Sequence, residues 1–172
     1  MESIQDALKG VMRSHPQAVS VLTATENGKS YGITVSSFTS VSLEPPLVLL
    51  SIARAARNHA IFVNAKEFAV NLLADDQRSV SDKFAGRTPL SEKFEGLRVY
   101  YDATGAPIIA DTRAYVECTN WRTHEGGDHS LILAEVINAK KLNDKPPLVY
   151  YAQKYTTITF PEGPPPHQEM FW

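Results

Sequence analysis

The chain has a single cysteine, Cys118, and this alone removes several function classes. No internal disulfide framework can form, and no thiolate-rich zinc or iron–sulfur site can be assembled. The 5 histidines are scattered, without H-E-x-x-H or any comparable ligand spacing, so no metal is expected. Other signatures are missing as well. No G-x-G-x-x-G follows a strand, and neither a Walker A sequence nor G-x-S-x-G occurs. The longest apolar run, around Leu47–Ala53, falls far short of the roughly 20 residues that span a bilayer. The opening residues Met1, Glu2 and Ser3 lack the basic and apolar regions of a signal peptide. Neither sign of charge is in excess. There are 17 basic and 19 acidic residues, a net −2, whereas a nucleic-acid-binding domain is normally strongly basic. What is present is 172 residues with 43% hydrophobic content, one domain's length with enough apolar material for a core. The expectation is a soluble, cytoplasmic domain with no membrane and no nucleic-acid partner.

The pattern along the chain is mostly of period two. Ile4, Leu8, Val11 and Met12 recur at helical spacing, so a short amphipathic helix opens the chain and ends before His15-Pro16. Ala18–Thr25 alternates as a strand, Asn27-Gly28 is a strong hairpin signal, and Ser30–Val35 is the returning strand. Pro45-Pro46 interrupts a hydroxyl-rich stretch before a buried strand at Leu47–Ile52. Asn58 stands at the N-cap of a second helix, Glu67–Leu73 is a strand, and Asp76 opens a third helix closed by Gly86. A helical turn at Ser91–Phe94 precedes strands at Leu97–Tyr101, Ile108–Ile109, Arg113–Trp121 and Ser130–Leu142, while Tyr150–Tyr155 is ambiguous. Short strands, tight turns and few crossover helices favour an antiparallel barrel over a parallel α/β sheet, with short helices capping its openings. The domain is expected over residues 1–160, followed by a proline-rich tail over 161–172.

The stretch from Ser36 to Asn58 holds the chemical interest. Thr34, Ser36, Ser37, Thr39, Ser40 and Ser42 supply hydroxyls that suit the polar edge of a ring or a phosphate. No acidic residue lies between Pro45 and Lys66, and Arg54 and Arg57 are three apart beside Ser51 and a helix start. That arrangement reads as an anion cradle, since free helix N–H groups and arginine forks both bind phosphate. A solvated turn with two surface arginines competes with it. His129 follows Gly126-Gly127-Asp128 at a strand entry, either as a locally satisfied turn histidine or as a donor to an approaching molecule. A hydrolase built on Asp128-His129 is disfavoured, because neighbours on a strand point to opposite faces. Phe84, Tyr150, Tyr151 and Tyr155 read as packing residues, and Cys118 as an inert buried thiol.

The run from Gly32 to Val48, G-I-T-V-S-S-F-T-S-V-S-L-E-P-P-L-V, closely resembles the flavin reductase-like family. These are the short-chain reductase components of two-component flavin monooxygenases. The similarity continues through Ser51, Arg57-Asn58, Phe68-Ala69-Val70-Asn71-Leu72-Leu73, Lys83-Phe84-Ala85-Gly86 and Gly127-Asp128-His129. It implies a mainly β, FMN-binding split barrel related to the Greek key, in a homodimer with flavin near the subunit interface. It also implies that NADH or NADPH reduces FMN or FAD, and that the reduced flavin passes to a separate flavin-dependent monooxygenase. By position, Thr34, Ser36 and Ser37 would meet the isoalloxazine edge, with Val35 in the same cofactor-binding stretch. Ser51, Ile52, Ala53, Arg57 and Asn58 would hold the ribityl phosphate, and Lys83 and Phe84 would lie over the flavin. His129 would orient the nicotinamide, and Tyr151 and Tyr155 belong to a segment near the dinucleotide. A flavin-carrying electron-transfer protein without its own NAD(P)H turnover stays open beside this reading, since fold likeness does not fix function.

Overall fold

A computed structural model describes residues 2–86 and 88–160, so the expected tail over 161–172 lies outside the described residues. The first helix, α1 (Ile4–Arg13), is capped by Ser3, whose Oγ accepts from the Asp6 N–H at 3.1 Å. Strands β1 (Gln17–Ala18), β2 (Ser20–Glu26) and β3 (Lys29–Val35) follow. Asn27 and Gly28 join β2 to β3 with φ of 49° and 72°, the left-handed pair that a tight two-residue hairpin needs. Next come β4 (Thr39–Leu43), β5 (Pro46–Ala53), α2 (His59–Asn64) and β6 (Glu67–Leu72). The third helix does not open at Asp76. Residues Asp75–Gln77 form a 3-10 turn in which the Gln77 side chain accepts from the Ala74 N–H at 3.1 Å, and α3 (Arg78–Ala85) starts behind it.

The remaining strands are β7 (Val99–Tyr100), β8 (Ile108–Ile109), β9 (Ala114–Gly126), β10 (His129–Lys141), β11 (Val149–Tyr151) and β12 (Lys154–Thr156). Strand β9 runs past its expected end at Trp121. Its last six residues are exposed in a ribbon with β10, so no apolar alternation marks them. The ambiguous Tyr150–Tyr155 segment is the β11–β12 hairpin. Its turn residues Ala152 and Gln153 adopt left-handed φ of 47° and 62° without a glycine to announce them.

Seven strands make one antiparallel sheet in the order β3-β2-β6-β9-β10-β5-β4. It curls into a barrel that stays split between its edges, β3 and β4. Ser37, just past β3, bridges the split: its Oγ donates to the Ser51 carbonyl of β5 at 2.8 Å and accepts from the Ser51 N–H at 3.0 Å. Leu22, Leu50, Ile52, Phe68, Val70, Cys118 and Ile132 fill the interior, together with Phe62 of α2. On the outside of β2, Val19 and Val21 pack with Val80 and Phe84 of α3, and with Leu73, Ile109 and Leu148. Strand β2 is therefore buried on both faces over Ser20–Ala24, and its polar members Ser20 and Thr23 are buried with the apolar ones. Burial, and then the nearby Glu117 charge, push the Cys118 thiol up to about 12. Such a thiol is inert at neutral pH.

Period two sends Glu117 to the opposite face from Cys118, under the loop that follows β7. The Glu117 side chain is fully buried. It accepts from the N–H groups of Ala103 (3.0 Å) and Thr104 (2.8 Å), from the Thr104 hydroxyl (2.8 Å) and from the Asn138 amide (2.7 Å). Burial raises its pKa, but the donors of Thr104, Asn138 and Ala103 together outweigh that, and the net shift is downward. The carboxylate therefore stabilises the fold at neutral pH, and this contribution is lost as pH falls through the lowered folded pKa. Glu117→Gln is expected to reduce stability at pH 7 by about 2–4 kcal/mol, because two of the donors lose their carboxylate acceptor. In urea denaturation the gap to wild type should narrow in acid below the usual carboxylate range; a gap constant from neutral pH into that range would refute the assignment.

Candidate active site

Two hollows lie along β3 and meet at Ala85 of α3. The first, of about 310 Å³, is lined by Gly32, Arg57, Asn58, Phe84, Gly86 and Lys93 among others. The second, of about 230 Å³, is lined by Thr34, Val35, Ser36, Ser81, Tyr150 and Tyr155, with Val19 at its back.

Beside the first hollow, β3 carries a glycine beneath α3, and Phe84 fills the space its side chain would take. A Cβ on Gly32 would stand 2.3 Å from Cε1 of Phe84. Phe84 is 1% exposed, and its ring meets Phe94 edge-to-face at 5.1 Å, so it packs as core while its edge borders the hollow. Lys83, beside it, turns its ammonium to the Glu95 carbonyl. Residue Lys93, which the sequence reading passed over, is 6% exposed. Its ammonium donates to the Phe84 carbonyl at 2.9 Å and reaches the Gly32 carbonyl at 3.4 Å. Burial, and then the charge of Arg57, hold its pKa below the usual lysine value.

The expected cradle of Arg54, Arg57 and a helix start is rearranged. Arg54 pairs with Glu125 of the β9–β10 ribbon at 3.1 Å, so a carboxylate distant in sequence enters the acid-free stretch. Asn58 is buried but makes no side-chain cap bond, and α2 is only 6 residues long. Cationic character in the hollow therefore comes from Arg57 and Lys93.

Around the second hollow the hydroxyls are already engaged. The Thr34 hydroxyl donates to the Ser81 carbonyl at 2.7 Å, and the Ser36 hydroxyl to Gln17 Oε1 at 3.0 Å. Ser81 Oγ and the Tyr155 hydroxyl share a 2.8 Å hydrogen bond. The Arg78 guanidinium stands 5.2 Å over the Tyr155 ring, and Tyr150 meets that ring at 5.5 Å. Tyr151 is exposed on a different hollow, which the hairpin forms against Met12, Arg13 and His15.

Ser51, Ile52, Ala53 and His129 are joined by the β5–β10 ladder: Ala53 pairs with His129, Ile52 with Ser130 and Ser51 with Leu131. Ile52 points into the barrel and is 2% exposed. Asp128 lies in the turn before β10, so the opposite-face argument does not apply, and His129 Nδ1 contacts Asp128 Oδ1 at 2.6 Å. The nearby hydroxyl of Ser130 is held by His59 Nε2 at 2.9 Å, so these residues form two separate pairs and no Ser-His-Asp triad. The structure thus gathers Thr34, Val35, Ser36 and Tyr155 in one hollow and Arg57, Asn58 and Phe84 in its neighbour. His129 and Tyr151 line neither of these hollows.

The family model for the flavin reductase like domain matches residues 12–159. The chain belongs to this family. It is 39% identical over 131 residues to the stachydrine N-demethylase reductase subunit Stc3 of Rhizobium meliloti, covering 76% of this chain and 56% of that protein. It is 33% identical over 140 residues to the flavin-dependent monooxygenase reductase subunit HsaB of Rhodococcus jostii, covering 81% of this chain and 71% of that one. The structure of the Streptomyces globisporus NADH:FAD oxidoreductase SgcE6, in complex with NAD and FAD fragments, superposes with a TM-score of 0.86 at 30% identity, over 95% of this chain and 99% of that chain. The fold is accordingly the split barrel of flavin reductases. No helix among the described residues is long and apolar enough to cross a membrane.

Gly32→Ala tests the packing that shapes the site. The added methyl must displace a buried ring, so stability should fall by about 1–3 kcal/mol. A thermal midpoint equal to that of wild type would show that Phe84 is not held against Gly32.

Proposed function

We propose that this chain is an NAD(P)H:flavin oxidoreductase that delivers reduced FMN or FAD to a separate flavin-dependent monooxygenase. The observation that carries this is the pair of adjoining hollows on β3, one cationic and the other lined by hydroxyls and tyrosine rings. Arg57, Lys93 and Asn58 present donors to the first hollow and no carboxylate lines it, a donor set that fits a flavin phosphate. When bound, the flavin accepts a hydride from the reduced nicotinamide, so the protein's work is to hold the two rings in contact.

Because Thr34, Ser36 and Ser37 bond within the protein, they fix the shape of the segment, and its backbone N–H groups remain the donors suited to a ring edge. Ser51, Ile52 and Ala53 place the Arg57-Asn58 turn at the phosphate end. Phe84 walls the site and Lys83 closes its outer side. Tyr155 and Tyr151 flank the nicotinamide nucleotide. His129 orients the nicotinamide: the Asp128 carboxylate beside Nδ1 fixes the ring and leaves Nε2 toward the ligand.

The working unit is a homodimer. The β5–β10 part of the sheet supports this, with Leu47, Leu49, Leu131 and Leu133 partly exposed on its outer face, where a solvated sheet would be polar. The domain ends near residue 160, and the NAD(P)H requirement together with an unpaired buried thiol suits the cytoplasm.

Purified protein given excess flavin should oxidise NADH or NADPH. Firm FMN binding without turnover of either nucleotide would replace the reductase with a flavin carrier. In the same assay His129→Ala should raise the nicotinamide KM roughly 3- to 10-fold, the worth of one hydrogen bond; unchanged KM and hydride-transfer rate would remove His129 from the site. Light scattering should give the mass of a dimer, and a monomer mass at assay concentration would refute the proposed assembly.

A further inference from the structure

We propose that the hollow between α1 and the β11–β12 hairpin holds the 2′-phosphate end of NADPH, so that this protein prefers NADPH to NADH. The inference rests on Tyr155 flanking the nicotinamide nucleotide, and it names the residues that read the far end of that nucleotide.

The hollow, of about 260 Å³, is lined by Lys9, Arg13 and His15 on one side and by Tyr150, Tyr151 and Gln153 on the other. No carboxylate is among its lining residues, although the chain as a whole carries a net charge of −2. Lys9 shares its charge with Asp6 at 3.2 Å. Arg13 makes no ion pair among the described residues, so its guanidinium, a planar fork of donors that suits phosphate, is uncommitted. Tyr150 and Tyr151, both partly exposed, offer ring surface on which an adenine can stack.

Strand register joins this hollow to the one that takes the nicotinamide. Gln17, Tyr150 and Tyr155 are cross-strand partners in β1, β11 and β12, so they form one row on one face of that small sheet. Tyr155 lines the hydroxyl-lined hollow, Gln17 lines the α1 hollow, and Tyr150 lines both. The row spans two strand spacings, about 10 Å. It is braced at each step: Tyr150 meets Tyr155 edge-to-face at 5.5 Å, and Gln17 Oε1 accepts from the Ser36 hydroxyl at 3.0 Å. At the hairpin tip the Ala152 N–H donates to the Arg13 carbonyl at 3.0 Å, which ties the last turn of α1 to the row. A nucleotide whose nicotinamide lies at Tyr155 therefore runs along this row to Arg13. Another hollow beside Tyr155 carries Arg78 and Lys154, but Asp82 lines it as well, and a carboxylate there opposes a phosphate.

Basic residues in the last turn of a helix also complement its dipole. An Arg13 with that role alone would be indifferent to which nucleotide binds, so the 2′-phosphate separates the two roles.

The experiment titrates the full chain calorimetrically with adenosine 2′,5′-bisphosphate and with adenosine 5′-monophosphate, for wild type, Arg13→Gln and Arg13→Lys. Wild type should bind the bisphosphate about 10- to 100-fold more tightly, the range for hydrogen bonds between charged groups, and Arg13→Gln should erase most of that difference. Arg13→Lys should retain part of it. In turnover with excess flavin, Arg13→Gln should raise the KM for NADPH by a similar factor and that for NADH by less than about 3-fold. A bisphosphate preference that persists in Arg13→Gln would put the phosphate at Arg78 and Lys154 and overturn the proposal.

Should Arg13→Gln fail to fold, the wild-type protein still decides. Equal affinity for the two adenosine phosphates, or a lower KM for NADH than for NADPH, overturns the NADPH site and leaves the reductase intact. Absence of turnover with either nucleotide sinks the reductase reading along with it.

Discussion

The cleft depends on one close contact, Phe84 of α3 seated on the bare backbone of Gly32 in β3. Strand β3 is an edge of the split barrel, and an uncovered edge is a site for unwanted pairing. Helix α3 covers it, and the missing side chain at Gly32 lets the helix come close. The same contact sets the chemistry. It places the Phe84 carbonyl where Lys93 donates to it, and it aligns Ser81 with the Thr34 and Tyr155 hydroxyls. One packing constraint thus fixes the cationic hollow and the hydroxyl-lined hollow relative to each other.

Polar groups that look like ligand donors in a linear reading are mostly committed to holding the frame. Ser37 spans the split, Thr34 ties β3 to α3, and Ser36 reaches Gln17. Glu117 likewise anchors the loop after β7 and takes no part in the cleft. A hydride transfer needs two rings held at contact with little acid–base chemistry, and a stiff frame with few free side-chain groups suits that task.

Electrostatics follow the tertiary arrangement. Arg54 belongs to an acid-free stretch of sequence, yet the β9–β10 ribbon brings Glu125 to it and removes it from the anion-binding set. Lys93 lies in an acidic neighbourhood of the sequence, between Glu92 and Glu95, yet it lines a hollow with Arg57 that no carboxylate lines. Local charge counting gets both residues wrong, because Coulomb interactions follow distance in space and take no account of separation along the chain.

The sequence by itself was enough for the strands of period two, the Asn27-Gly28 hairpin, the antiparallel class and the inert Cys118. Each rests on local chemistry: alternation of side chains, φ preference, or the habit of a lone thiol in an apolar strand. Its motif run from Gly32 to Val48 also carried the family. The start of α3, the far end of β9 and the glycine-free turn at Ala152-Gln153 were not legible. A reaching Gln77 side chain, a doubly solvated ribbon and a turn held by flanking strands leave no compositional mark. Tertiary structure alone decided that Thr34 and Ser37 are braces, that Asp128 touches His129 from a turn, and that Lys93 faces the cleft. Those outcomes depend on which segments lie side by side once the sheet has curled, and that is settled by long-range packing.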